Sequence, residues 1–506
     1  MKLYLYGHDY KYAVEQMLLT LFPAERPEYP EGRPQGDRIE IRLSTGESYT
    51  TAACTLCLAG DKWQGRAAMK NDRVGEGLTR DSACQRLIKN AMYRAALRSG
   101  RTPMPWGALT GVRPGKLLRQ MLTAEKDERR ALRRFEEEYG VSPERAELCL
   151  DATLETLRTE AELEDRDICL YVGIPFCPTR CSYCSFVSQS VEKSIKLIEP
   201  FLQALFQEIR ATAAAVRELG LRVISVYMGG GTPTTLNPEQ LDRLCTLLER
   251  EFDLSAVREY TVEAGRPDTI SPEKLRVLKA HGVDRVSVNP QTMSDAVLAA
   301  IGRKHSARDV FSALEKVRAV GGFAVNMDLI AGLPADTAES FKATVDRVLT
   351  LAPENITVHT LSLKKGSRIT LEGSAIPSAA EVSAMLDYAG LKLRAAGYRP
   401  YYLYRQKFMS GGFENVGWTK AGYENIYNIC IMEELCGIIA MGGGGSTKLI
   451  RRDGGRNIRL MAPKYPLEYI NHIEKTCADK EKIGEFYGQL NFPKKEISVI
   501  NHTDSI

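Results

Sequence analysis

The sequence predicts an α/β fold. Between about Asp167 and Ala396, six short runs rich in β-branched and apolar residues alternate with amphipathic helical stretches, the arrangement that builds a parallel sheet. The residues with unusual chemistry fall just after, or at the C-terminal end of, those strand runs, where α/β folds place their sites. At 506 residues the chain exceeds one ordinary core, so two or three domains are expected. Six βα units are more than a hairpin domain uses and fewer than the eight of a closed barrel. An open partial barrel and a doubly wound sheet both fit.

Residues 1–166 come first, with alternating strand signals in "DRIEIRLSTGESYTT" and helical ones in "SACQRLIKNAMYRAALRSG". The segment "TPMPWGALTGVRPGKL" lies between helices, and the whole reads as a separate α+β domain. The six strand runs follow at 169–175, 223–231, 259–265, 285–291, 324–334 and 355–361. Helices fill the gaps, with Ser271 expected as an N-cap and a helix start at Thr337 to Ser340. Residues 167–396 thus form the α/β domain. Residues 397–506 turn irregular, rich in Tyr and Gly, and read as a C-terminal covering domain with a polar tail.

Composition excludes several classes. Hydrophobic residues make up 44% and charged residues 26%, as in a soluble globular protein, and no stretch approaches the roughly 20 apolar residues of a membrane span. The N-terminal residues Gly7, His8, Asp9, Lys11 and Glu15 interrupt any secretory signal, so a cytoplasmic location is expected. A net charge of +4 on 68 basic and 64 acidic residues gives no sign of a nucleic-acid partner. The basic run Arg129 to Arg134 alternates with acids and reads as a solvated helix face. Twelve cysteines in such a chain point to thiols, some of them metal-binding. Cys54 and Cys57, a lone C-x-x-C in a strand-like run, read as packing.

Three cysteines, Cys177, Cys181 and Cys184, crowd into "FCPTRCSYCSF". A structural zinc site closes with four ligands, and within twenty residues the only further Cys or His is Cys169, inside the preceding strand run. An iron–sulfur cluster with three protein thiolates leaves one iron open to a ligand. Pro178, Thr179, Arg180 and Ser182 make this a loop and not a core segment. "YMGGGTPTT" follows the second strand, and its glycines free backbone groups for close approach to a small ligand. Neither this segment nor "GGGGSTKL" at 442–449 has the order of a P-loop.

The cysteine loop, with Tyr183 before its last cysteine, and "GGGTPT" together resemble the cluster motif and methionine-binding segment of radical S-adenosylmethionine enzymes. Within that superfamily, "LYVGIPFCPTRCSYCSF", "EYTVEAGRPDTI", "GVDRVSVNPQTM", "IGRKHS", "NMDLIAGLP" and "LAPENITVHTLSLKKGS" resemble oxygen-independent coproporphyrinogen III oxidase, and the outer parts of the chain resemble its coproporphyrinogen dehydrogenase branch in Gram-positive anaerobes. The resemblance implies a partial (β/α)6 radical-SAM barrel, a 4Fe-4S cluster on Cys177, Cys181 and Cys184, and S-adenosyl-L-methionine on its open iron. Tyr171, Gly230 and Glu263 match contacts of one S-adenosylmethionine. Tyr183, Gly231, Thr232, Gln291, Arg303, Asp328 and Ser362 match contacts of a second. The implied reaction is oxidative decarboxylation of coproporphyrinogen III to protoporphyrinogen IX by a cofactor-derived radical, with an unidentified electron donor and no catalytic base from the protein.

Two departures stand out. Gly173 occupies the place of a histidine in the oxidase pattern, and Ser185-Phe186 follow Cys184 where the oxidases carry a fourth cysteine. Cys184-Ser185-Phe186 is nearer to haem-chaperone relatives, yet "YNICIM" lacks the His and Trp of their haem motif. A haem-trafficking protein and a radical enzyme acting on another tetrapyrrole are therefore the alternatives. Arg303, Lys304, Arg405 and Lys407 are candidate partners for the substrate's propionates. His305 beside Arg303 and His359 on the sixth strand are candidate site residues, whereas His8, His281, His472 and His502 read as surface or satisfied residues.

Overall fold

The structure is a computed structural model. It describes the chain except residues 112, 185–188, 191–193, 363–374, 407–411, 453–454 and 489–506, and the side chains of 78, 189 and 190. Ser185, Phe186, Lys407 and His502 thus lie outside the described residues. Two compact units form, one of Met1–Arg158, Gln291–Ile301 and Asp328–Glu424, the other of Thr159–Pro290, Gly302–Met327 and Asn425–Ile506. Each unit gathers segments far apart in sequence.

The first unit begins with a four-stranded sheet ordered β1 (Lys2–Tyr6), β2 (Arg38–Thr45), β3 (Tyr49–Leu58) and β4 (Asp61–Lys70). β1 and β2 run parallel, the rest antiparallel. The helix Gly77–Arg98 packs so closely that a Cβ at Gly65 would meet the Ala91 carbonyl oxygen at 2.0 Å. Leu3, Val14, Met17, Ile39, Ile41 and Ile88 fill the core beneath. Cys54 and Cys57 are buried there, in agreement with a packing role. The helix Glu128–Tyr139 buries Ala131, Phe135 and Tyr139 and leaves its arginines on the outer face.

In the second unit β5 (Asp167–Ile174) is followed by a short ladder of β6 (Phe176–Cys177) and β7 (Gln189–Ser190), then β8 (Arg222–Gly230), β9 (Glu259–Val262), β10 (Arg285–Ser287) and the first half of β11 (Ala324–Ala331), whose residues from Asp328 on are counted with the first unit. β5, β8, β9, β10 and β11 lie side by side and parallel. The expected caps are present: Ser271 accepts from the Lys274 amide and Thr337 from that of Ser340. The helix Ile198–Glu218 turns an apolar face inward with Phe201, Leu202, Leu205 and Ile209.

The remaining strands of the first unit are β12 (Asn355–Thr360), β13 (Arg399–Arg405) and β14 (Glu414–Thr419), with β14 antiparallel to both others. Here Arg405 differs from expectation. It is buried over the Trp106 ring, and its guanidinium donates to the Leu109 and Gly412 carbonyls, which leaves it no access to a substrate. Burial lowers its pKa to about 10. The ion pair of Arg145 with Glu414 at 2.7 Å, and the Trp106 indole donating to the same carboxylate, complete a buried polar network.

The end of the chain is more regular than its composition suggests. β15 (Gly437–Gly442) pairs parallel with β5, and β16 (Ser446–Leu449) and β17 (Ile458–Met461) extend the sheet antiparallel. A buried ion pair holds β15 in place: Glu208 in the helix Ile198–Glu218 meets Lys480 at 2.7 Å and accepts from the Gly442 amide at 2.7 Å, and Lys480 also donates to the Ala440 carbonyl at 2.7 Å. Removing one member strands the other in a dry interior. Lys480→Met is expected to lower unfolding free energy by about 3–5 kcal/mol, read by urea unfolding. A change below about 1 kcal/mol, the range of an exposed pair, would contradict the buried anchoring role.

Candidate functional site

Glycines set the geometry of the site. Gly231 donates its amide to the Ile174 carbonyl at 2.8 Å, and Thr232 donates to that of Phe176 at 2.7 Å, so the loop after β8 lies against the chain entering the cysteine loop. A Cβ at Gly231 would meet the Phe176 oxygen at 2.4 Å and the Ile174 oxygen at 2.8 Å. Gly230 has φ of 103°, and a Cβ there would stand 3.3 Å from the Tyr171 hydroxyl. Gly173 faces Gly442 in the register of β5 and β15, where a Cβ on Gly442 would meet the Gly173 oxygen at 2.2 Å. A Cβ on Gly173 itself would stand 3.0 Å from the Gly443 oxygen and 3.2 Å from the Tyr171 ring, so a larger residue there fits only if its neighbours shift.

Beneath the glycines lies a tyrosine stack. Tyr171 and Tyr227 oppose each other across β5 and β8, their ring centroids 6.3 Å apart, and Tyr427 stacks on Tyr227 at 4.3 Å. Tyr227 donates to Glu263 at 2.6 Å. Tyr427 sits on the helix Ile426–Glu433, whose first turn is capped twice. Asn425 accepts from the Asn428 amide, and the Glu259 carboxylate accepts from the Ile426 amide at 2.9 Å. Burial pushes Glu259 up to about 7, opposed by Arg285 at 3.6 Å.

Two buried guanidiniums bracket the cysteine loop. Arg266 donates to the Thr179 hydroxyl at 3.0 Å and reaches the Cys181 sulfur at 3.7 Å. Arg303 donates to the Tyr183 hydroxyl at 2.9 Å and the Asn289 carbonyl at 3.0 Å. The Thr232 hydroxyl points at the Cys177 sulfur, 3.5 Å away. The second unit thus brings together Tyr171, Cys177, Cys181, Tyr183, Cys184, Gly230, Gly231, Thr232, Glu263 and Arg303. His305 is buried beside Arg303 and Arg266, with neither ring nitrogen hydrogen-bonded among the described residues, and burial with these cations lowers its pKa to about 4. Lys304 is exposed.

The first unit holds Gln291, Asp328 and Ser362. Gln291 adopts φ of 66°, a strained backbone for a non-glycine residue, fixed by its amide on the Asp328 carbonyl at 2.8 Å and by the Ile330 amide on its own carbonyl at 3.0 Å. His359 stands 3.8 Å from the Asp328 carboxylate. The Ser362 hydroxyl is buried without a hydrogen-bond partner among the described residues.

Sequence reading missed Arg266, Tyr227 and Tyr427. Tyr227 could have been found, since it shares a strand face with Gly229 two residues on. Arg266 lies four residues past the end of β9, but nothing in "AGRPDT" shows that its side chain turns toward the cysteine loop. Tyr427 lies in an apolar helix without a distinguishing signal.

A sheet of parallel strands with a thiol loop, a glycine cradle and a carboxylate at its C-terminal ends defines a cofactor-binding α/β protein. The chain matches the Radical SAM superfamily model over residues 171–348. It is 39% identical over 383 residues to the oxygen-independent coproporphyrinogen-III oxidase-like protein HemZ of Bacillus subtilis, covering 74% of this chain and 76% of the relative. The heme chaperone HemW of the same organism is 32% identical, over 51% of this chain and 65% of its own length. The structure of coproporphyrinogen III oxidase (HemN) from Escherichia coli superposes with a TM-score of 0.50 at 22% identity, over 66% of this chain and 82% of that one. The chain therefore belongs to the radical SAM superfamily, and within it to the HemN family.

Membership implies a 4Fe-4S cluster and S-adenosylmethionine, and the residues present fit them. Three thiols share one loop, with the Arg266 guanidinium beside the Cys181 sulfur and the Thr232 hydroxyl aimed at Cys177. The Arg303 Nε and both His305 nitrogens are buried polar atoms with no hydrogen-bond partner among the described residues. Among the described residues no helix is long and apolar enough to cross a membrane.

Two outcomes are expected. Gly231→Ala drives a methyl into two carbonyls, and S-adenosylmethionine binding by equilibrium dialysis should weaken by at least about tenfold, or ~1.4 kcal/mol, with the circular dichroism spectrum retained. Glu259, with its folded pKa raised to about 7 above an ordinary 4.5, binds protons that the unfolded chain releases, so its contribution to stability is full below pH 4.5 and lost as pH rises through 7. Glu259→Gln should flatten that part of the stability profile, measured by urea unfolding across the same pH window.

Proposed function

We propose that this protein catalyses oxidative decarboxylation of two propionates of coproporphyrinogen III, giving protoporphyrinogen IX. Each propionate loses carbon dioxide, one hydrogen atom, which ends in 5′-deoxyadenosine, and one electron, which passes to an acceptor outside the chain, and becomes a vinyl group. The observation that carries the reading is the cysteine loop bracketed by Arg266 and Arg303 above the tyrosine and Glu263 floor. The relative at 39% identity is named as coproporphyrinogen-III oxidase-like, which supports the tetrapyrrole substrate.

Cys177, Cys181 and Cys184 would hold the cluster, whose chemistry with S-adenosylmethionine is hydrogen-atom abstraction begun by one-electron reduction. The chain's own residues do the rest. Gly230 and Gly231 offer backbone groups at close range, and the Glu263 carboxylate, held by Tyr227, accepts from hydroxyl groups of the cofactor. Arg303 and the exposed Lys304 supply positive charge for carboxylates. Gln291, Asp328 and Ser362 are retained as cofactor contacts on the family resemblance. A cytoplasmic location and an unidentified electron donor complete the reading.

A haem-chaperone role is the second reading, favoured by the 32% identity to HemW. Against it, the residues at the position of the haem motif form the helix Ile426–Glu433, with Tyr427, Ile429 and Cys430 buried and no histidine. The test is anaerobic turnover of the cluster-loaded protein with S-adenosylmethionine, a reductant and coproporphyrinogen III, followed by mass spectrometry. Loss of two carbon dioxides with formation of 5′-deoxyadenosine is expected. An unchanged tetrapyrrole beside 5′-deoxyadenosine, with stoichiometric haem binding, would overturn the reading in favour of haem carriage.

A further inference from the structure

Another cysteine trio lies below the site, apart from the loop. Cys169 is on β5, Cys430 on the helix Ile426–Glu433 and Cys436 immediately before β15, so three elements converge from positions up to 267 residues apart. All three are buried, and their sulfurs lie within 4.8 Å of one another, with Cys169 and Cys436 at 3.7 Å.

We propose that Cys169, Cys430 and Cys436 form a second metal site, for a single soft d10 ion, zinc(II) or copper(I), held by sulfur.

The spacing decides the nuclearity. An ion bound by thiolates at about 2.3 Å sets its sulfurs about 3.8 Å apart in a tetrahedron and about 4.0 Å apart in a plane. In a cubane cluster each thiolate caps a different iron, which spreads the sulfurs wider. A disulfide would use two of the three and leave the third with no role. The donor set is soft and contains no carboxylate or imidazole, which selects zinc(II) or copper(I) over magnesium, calcium or manganese. Asp167, Glu259 and Arg452 are the charged groups facing the trio, with Tyr427 and Tyr487 packed beside it.

The site is placed to act on the floor above it. Cys169 and Tyr171 share one face of β5, and Cys430 is one helical turn beyond Tyr427. An ion joining the three cysteines fixes Tyr171 and Tyr427, two of the three stacked tyrosines, and with them the surface on which Tyr227 orients Glu263.

The experiment is metal analysis of the full-length, cluster-loaded protein expressed in medium supplemented with zinc and copper. About one zinc or copper per chain is expected, with only sulfur in its first shell by X-ray absorption, and the edge energy tells the two ions apart. The metal should be lost in Cys436→Ser and in Cys430→Ser while the iron content stays. The proposal is overturned by wild-type protein with no stoichiometric zinc or copper, by metal that survives both substitutions, or by a Cys169–Cys436 disulfide in peptides of freshly isolated protein. Should the serine variants fail to fold, the wild-type stoichiometry and sulfur shell decide.

Discussion

Backbone-to-backbone contact at the C-terminal ends of β5, β8 and β15 is the constraint on which the site depends. Gly173 and Gly442 press together across one strand pair, and Gly231 lies against the Ile174 and Phe176 carbonyls across the other. The penalty for a side chain at these places is steric overlap with main chain, which has no rotamer by which to escape. These contacts set how near the cysteine loop comes to the glycine segment. They also draw β15 onto β5, and so bring Cys436 to Cys169.

Electrostatics follow from that geometry. Arg266 and Arg303 are desolvated beside Cys181, so positive charge stands next to the loop in a buried setting. Each cation is held by main-chain or hydroxyl oxygens, and Asp268 pairs with Arg266 at 3.3 Å. Positive charge next to the loop is thus retained and not cancelled in full. Glu208 with Lys480 provides the compensated counterpart, a buried pair whose role is to hold β15.

The α/β reading was legible because a parallel, two-sided buried strand writes an apolar run, and each of the six runs became a strand within a few residues of its expected place. The glycines and the loop cysteines were legible because their chemistry is local. What sequence did not show is what depends on distance. Arg405 looked like a rim cation, yet Trp106 and the Leu109 carbonyl enclose it. "GIIAMGGGG" looked irregular because its glycines serve close packing, which propensity penalises. Cys169, Cys430 and Cys436 carry no motif, since their proximity exists only after β15 joins β5.

Two cysteine trios therefore compete for the same description, and iron content separates them. The direct measurement is iron and sulfide per chain, with electron paramagnetic resonance of the reduced protein with and without S-adenosylmethionine, in the wild type, Cys181→Ala and Cys169→Ala. The account predicts about four iron in the wild type and in Cys169→Ala, a signal that shifts on adding S-adenosylmethionine, and loss of both in Cys181→Ala. Iron retained in Cys181→Ala and lost in Cys169→Ala would contradict it and move the cluster to the buried trio.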